Sequence, residues 1–186
     1  MFMKIKKVII NSLFLAIGAV LHQIAPPLLF GMRPDFSLAM LFIILVLNDD
    51  YKTCLISGVV AGILAAAATS FPGGQLANIV DKFVTTNIMF FLIQPLRNIN
   101  IMFFLREDLS SRLNNQIKII LTTAIGTIIS GTAFLSVAFL TAGLPGKFSV
   151  LFIGVVLPGC LINTIVAAIL FNALNIAIKR GAIKGM

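Results

Sequence analysis

Residues able to do polar chemistry are few in this chain, and they gather in one stretch. FPGGQLANIVDK, residues 71–82, opens on a Pro-Gly-Gly breaker and then carries Gln75, Asn78, Asp81 and Lys82 into an apolar run, with Thr85 just beyond. Residues three or four apart share a helix face, so the spacing predicts a polar stripe on one helix. Asp81 lies about 9 Å along that helix from Gln75 at 1.5 Å per residue. An ionised group in a membrane span costs roughly 2.5–3.5 kcal/mol on insertion scales, so it faces a partner or a cavity. Two readings follow. In one, Lys82 snorkels outward and Asp81 pairs with it or with Arg33. In the other, the stripe lines a solute site: Asp81 accepts from an ammonium, and Lys82 or Arg33 meets a carboxylate, as an amino-acid zwitterion requires. Neighbouring helical residues point about 100° apart, so Asp81 and Lys82 alone cannot clamp both ends, and the first long connection must help.

That connection, residues 22–36, reads HQIAPPLLFGMRPDF. Pro26, Pro27 and Pro34 stiffen it, and Gly31 permits a turn. His22 ends the first helix, in a structural hydrogen bond or against a ligand. Phe30, Met32 and Phe36 can wall an apolar pocket or simply pack. Asp35 is placed to N-cap the second helix, with ligand contact as the alternative. Asn163, after Pro158-Gly159, is a candidate for the far wall, whereas Asn172 and Asn175 lie toward the other end.

No catalytic set accompanies these residues. His22 is the single histidine, and Cys54 and Cys160 sit far apart in apolar runs. Neither a metal site nor a disulfide framework is expected, and no cofactor. Gly143-Leu-Pro-Gly146-Lys147-Phe148 is too short for a phosphate loop and has Phe148 where a hydroxyl is needed. The chain is not expected to be an enzyme, and any energy from ATP must come from another chain.

The elements that position these residues follow from composition. Of the 186 residues, 59% are hydrophobic and 11% charged, with a mean hydropathy of +1.08. Soluble domains carry about 25% charged residues. The expected fold is an all-α integral membrane protein, one domain over residues 1–186, with six helices at about 8–29, 36–48, 53–70, 76–96, 117–141 and 148–178. The first is read as a retained span, because no small-residue cleavage site follows it. The sixth is too long for one straight span, and Pro158-Gly159 is expected to kink it. Within the polar connection 97–117, Ile101–Leu105 is a candidate interfacial helix. With a cytoplasmic N-terminus, Lys4, Lys6, Lys7, Lys52, Arg97, Arg106, Arg112, Lys118, Lys179, Arg180 and Lys184 all fall inside, and only Arg33 and Lys147 fall in outer loops. The positive-inside rule therefore puts both termini in the cytoplasm of a multi-pass cell-membrane protein. The net charge of +8 is then topology and attraction to the lipid bilayer, not nucleic-acid binding. Small residues at four-residue spacing permit close helix approach. Gly58, Gly62 and Ala66 are assigned to packing inside the bundle; Ser12 and Ala16, with Ala19 beside them, suit packing or a partner subunit.

Four segments carry a family resemblance: Ala-Ile-Gly-Ala-Val-Leu-His at 16–22, Pro26-Pro27, Gly-Met-Arg-Pro-Asp at 31–35 and Phe71–Lys82. They resemble the tryptophan transport proteins of Gram-positive bacteria, substrate-binding S components of energy-coupling factor (ECF) transporters. The similarity spans the first helix to the sixth and is densest over 16–82. It implies a site at the outer face built from the first outer loop and helices four to six. It also implies docking on a membrane coupling subunit that carries two ATPase subunits, with toppling of the S component to deliver the ligand inward. S components often dock through an alanine pair on helix one, and here the matching pair reads Ser12 and Ala16. The absence of Trp from the chain suits a protein needed when tryptophan is scarce. The competing functions are a stand-alone secondary carrier, an S component for another small aromatic or vitamin-like solute, and a scaffold in which Asp81 and Lys82 are merely a salt bridge.

Overall fold

The computed structural model describes residues 2–28, 31–98 and 107–179. The helices are α1 (Phe2–Ile24), α2 (Ser37–Leu47), α3 (Tyr51–Ala68), α4 (Gly74–Asn98), α5 (Glu107–Thr141), α6 (Phe148–Leu151) and α7 (Leu157–Lys179), with a π-helical turn, Phe152–Val156, joining α6 to α7. Among the described residues, five helical segments are long and apolar enough to cross a membrane; α2 is not. Neighbours pack in sequence order, α3 on α4, α4 on α5, α5 on α7, α1 on α2, and α2 also touches α3, α4, α5 and α7.

At the centre stands α2. Its 11 residues, SLAMLFIILVL, rise only about 16 Å against a hydrocarbon core of about 30 Å. Every residue from Ser37 to Leu45 is buried. A helix apolar all round has no face for water and is stable only when surrounded. Its terminal carbonyls must then find donors inside the protein. Arg97 of α4 supplies them: its guanidinium donates to the Leu45 carbonyl at 2.7 Å and to that of Asn48, while its other arm pairs with Asp49 at 2.8 Å. The Asn48 amide donates back to the Ile44 carbonyl at 2.8 Å and to Asn11 Oδ1 at 3.3 Å.

Close approach elsewhere depends on missing side chains. A Cβ on Gly58 would run into Thr86 of α4, and one on Gly62 would meet Ile79 Cα and Lys82 Cβ at 3.2 Å. The α3–α4 seam therefore uses the glycines assigned to packing. It brings α3 up against the part of α4 that carries Lys82. Facing away from the bundle, Ile153, Leu157, Leu161, Ile165 and Ile169 leave one exposed apolar stripe along the last helical segment, the pattern of a surface that meets lipid.

Two expectations need correction. α5 begins at Glu107, ten residues before the expected start, so half of the expected connection is helix; the sequence from 107 to 117 has no Gly or Pro to stop it. Ile101–Leu105 lies outside the described residues. The last segment is interrupted one turn before Pro158, at the π-turn. Pro158 has no N–H for the Gly154 carbonyl and its ring crowds that group, and the backbone widens there into i→i+5 spacing.

Candidate functional site

Where α1 ends, α2 begins and α3 passes to α4, a cavity opens with an empty volume of about 710 Å³, its mouth included. Its lining comes from every element that reaches this end. The 22–36 connection contributes Met32, Arg33, Pro34 and Asp35; α4 contributes Asn78, Asp81 and Lys82; α5 contributes Thr127, Ser130 and Phe134; the π-turn and α7 contribute Val155, Val156, Gly159 and Asn163.

Its charged end is built around Lys82. The ammonium lies 2.6 Å from Asp81 Oδ2 and 2.5 Å from Asp35 Oδ2, with Lys82 and Asp81 each only 1% exposed. The remaining Asp81 oxygen accepts from Thr85 at 3.0 Å, and Ser130 of α5 lines the same cavity. Two carboxylates thus share one ammonium. Asp35, Asp81 and Lys82 together carry a formal charge of −1, which one further cation, a protonated His22 beside Asp35 or an external ammonium, would balance.

Asp35 has a double role. Its Oδ1 accepts from the Ser37 backbone N–H at 3.0 Å and from the Ser37 hydroxyl, so it satisfies donors at the start of α2. The helix-flanking position itself is Phe36 rather than Asp35. Its Oδ2 meanwhile reaches Lys82. Burial alone would raise the Asp35 carboxyl, but the Lys82 ammonium, then the His22 ring and the Ser37 hydroxyl, more than offset it, and it is held well below the usual carboxylate range. His22 Nδ1 lies 3.1 Å from the Pro34 carbonyl and 3.5 Å from Asp35 Oδ1. Arg33 bonds the Gln23 carbonyl, and Ser70 donates to the Gly31 carbonyl at 3.2 Å. The connection is thereby tied to α1 and to the α3–α4 link.

The apolar walls are Met32, Leu38, Phe71, Phe134, Leu135, Val155 and Val156. Phe71 and Phe134 meet edge to face with centroids 5.7 Å apart, a favoured aromatic geometry. At the deeper end, Asn163 is 1% exposed; its Nδ2 lies 3.5 Å from Thr127 Oγ1.

The sequence-predicted residues divide as follows. Asp81, Lys82, Asn78, Arg33, Met32, Asn163 and His22 line one cavity. Gln75 does not; it is exposed, because the stripe turns away from the bundle in the first turn of α4. Asn78 spends its amide on the Gly74 carbonyl at 3.0 Å. Phe30 lies outside the described residues. Ser12 and Ala16 are exposed on α1 and Ala19 is half-buried.

Comparison with known proteins now bears on this arrangement. The family model described as "Tryptophan transporter TrpP" matches residues 4–179. The chain belongs to the tryptophan transporter TrpP family. It is 56% identical over 173 residues to a "probable tryptophan transport protein" of Clostridium acetobutylicum, covering 93% of this chain and 94% of that one. Proteins of the same description from Clostridium perfringens and Bacillus subtilis are 42% and 41% identical, each match covering at least 96% of both chains. No solved structure matches the chain. Family and span-length helices together make it a multi-pass membrane protein of bacteria, and its relatives are named for transport, not catalysis.

Sequence reasoning ranked capping above a site role for Asp35, and it missed Phe71, Phe134, Thr127 and Ser130. A signal for Asp35 existed: a second carboxylate near an isolated buried lysine. Thr127 and Ser130 carried none, since hydroxyls in apolar helices commonly bond their own backbone.

Proposed function

We propose that this chain binds tryptophan in the cavity between the 22–36 connection and α4, α5 and α7, and serves its uptake as the S component of an ECF-type importer. The observation that carries the reading is a buried cluster of two carboxylates and one ammonium in a cavity whose other walls are aromatic and aliphatic. An amino acid with a large apolar side chain has the matching polarity. Its ammonium completes the charge of Asp35 and Asp81 against Lys82. Lys82 already meets two carboxylates, so the substrate carboxylate falls to Arg33 at the rim. The indole lies between Phe71, Phe134, Val155 and Val156.

In this reading the six apolar segments place both termini in the cytoplasm and the cavity at the outer face. The coupling subunit, with its two ATPase subunits, docks on the small-residue face of α1 formed by Ser12, Ala16 and Ala19. The exposure of Ser12 and Ala16 supports that role. ATP hydrolysis in those partners drives the toppling that releases the ligand inward.

The chain has no Trp and one Tyr, so tryptophan fluorescence reports binding directly. Titrating tryptophan with purified protein is expected to give a saturable blue shift of the indole emission. An unshifted spectrum, with calorimetry also silent, overturns the substrate. Uptake into proteoliposomes is expected only with the partner subunits and ATP; uptake by this chain alone overturns the S-component role in favour of a secondary carrier.

A further inference from the structure

Asn163 presents an unused acceptor to the cavity. It is 1% exposed, its Nδ2 lies toward Thr127 Oγ1 at the long distance of 3.5 Å, and its Oδ1 has no hydrogen-bond partner among the described residues. A buried carbonyl without a donor forfeits the hydration it had in water, so such groups are uncommon unless a ligand or water completes them. The surroundings give it a direction. Thr127 and Ser130, three residues apart on α5, share a face. Ser130 lines the cavity together with Asp81 of the charged end, and Thr127 lies against Asn163, one turn closer to the opposite end of α5. The aromatic and aliphatic walls line the same cavity.

We infer that Asn163 Oδ1 accepts the indole N–H of the bound substrate and sets the selectivity for indole over aromatic side chains without a donor. The inference rests on the tryptophan reading above and assigns the one polar atom of the indole its partner. Thr127 is the positioning residue, because its hydroxyl lies against the amide nitrogen and leaves the oxygen without a partner. Phenylalanine lacks the donor entirely. A site built to hydrogen-bond a ligand N–H rejects an analogue without it because its own acceptor stays unpaired.

The test compares tryptophan with 3-(benzothiophen-3-yl)alanine, in which sulfur replaces the indole N–H at nearly constant shape. Displacement of the blue-shifted tryptophan emission measures both on one protein. Wild type is expected to bind the sulfur analogue about tenfold more weakly or worse. In Asn163→Leu the preference is expected to collapse to within about twofold, with tryptophan itself weakened by a similar factor. If Asn163→Leu does not purify as a monodisperse species, Asn163→Ala carries the same comparison, and the wild-type ratio stands on its own. Equal affinities in wild type overturn the inference while leaving tryptophan binding intact, and so does a preference that survives removal of Asn163. A wild type giving no blue shift with tryptophan overturns both the substrate and this role.

Discussion

Around Lys82 the residue-scale chemistry is one of shared charge. A single ammonium, 1% exposed, holds Asp81 on its own helix and Asp35 on the preceding connection. Removing one partner of a buried pair leaves an uncompensated charge and costs about 3–5 kcal/mol. Lys82→Met is therefore expected to lower stability by that amount in denaturant unfolding of the detergent-solubilised protein. The double variant Lys82→Met with Asp81→Asn should recover part of the loss; strictly additive effects would contradict the pairing. Much of this cluster was legible in the sequence, because an acid and a base inside an apolar run cannot be there without a partner. Its third member was not. Asp35 stands before a helix, where capping explains it locally, and only the fold reveals that Lys82 lies within 2.5 Å. The expectation that Asp81 and Lys82 could not clamp both ends of a ligand was the useful constraint. Lys82 curls back to Asp81, and the cation left over at the cavity is Arg33.

On the scale of elements, the irregular stretch Phe152–Val156 contributes most to the cavity wall. Val155, Val156 and Gly159 line it, and Val156 packs where a Cβ on Gly131 of α5 would clash. If Pro158 is what widens the turn, Pro158→Ala should let the segment return to α-helical spacing and rotate Val155 and Val156 relative to Asn163. The expected result is tryptophan affinity reduced by about tenfold, since wall and acceptor lose register, with thermal stability kept or raised because a helix-interior proline is removed. Unchanged affinity would show that the π-turn does not position the wall. Helix existence was readable from apolar runs and breakers: Pro72-Gly73 sets the start of α4, with Gly73 at a φ of 75° that favours glycine. Boundaries inside polar stretches were less so. Only Leu109 and Leu113 are apolar in the first ten residues of α5, too few to mark its start by periodicity.

Viewed as a whole molecule, charge asymmetry gives the sharpest test. Lys52 lies in the first turn of α3 at the end of the bundle opposite the cavity, and Lys147 precedes α6 at the cavity end; both are exposed. The native Cys54 and Cys160 are free but buried. In intact cells, Lys147→Cys is expected to react with an impermeant maleimide, and Lys52→Cys only after permeabilisation. The reverse pattern would invert the topology and place the cavity in the cytoplasm. The bundle itself was legible from composition, but the brevity of α2 had no visible consequence until its surroundings were known. Asp35 and Leu38 at its start belong to the cavity, Arg97 grips its end, and between them runs an unbroken column of buried side chains from Leu38 to Leu45. That column is a plug. Water or ions entering from the cavity would meet only apolar side chains on α2 from Leu38 to Leu45, which disfavours a leak through the centre of the bundle.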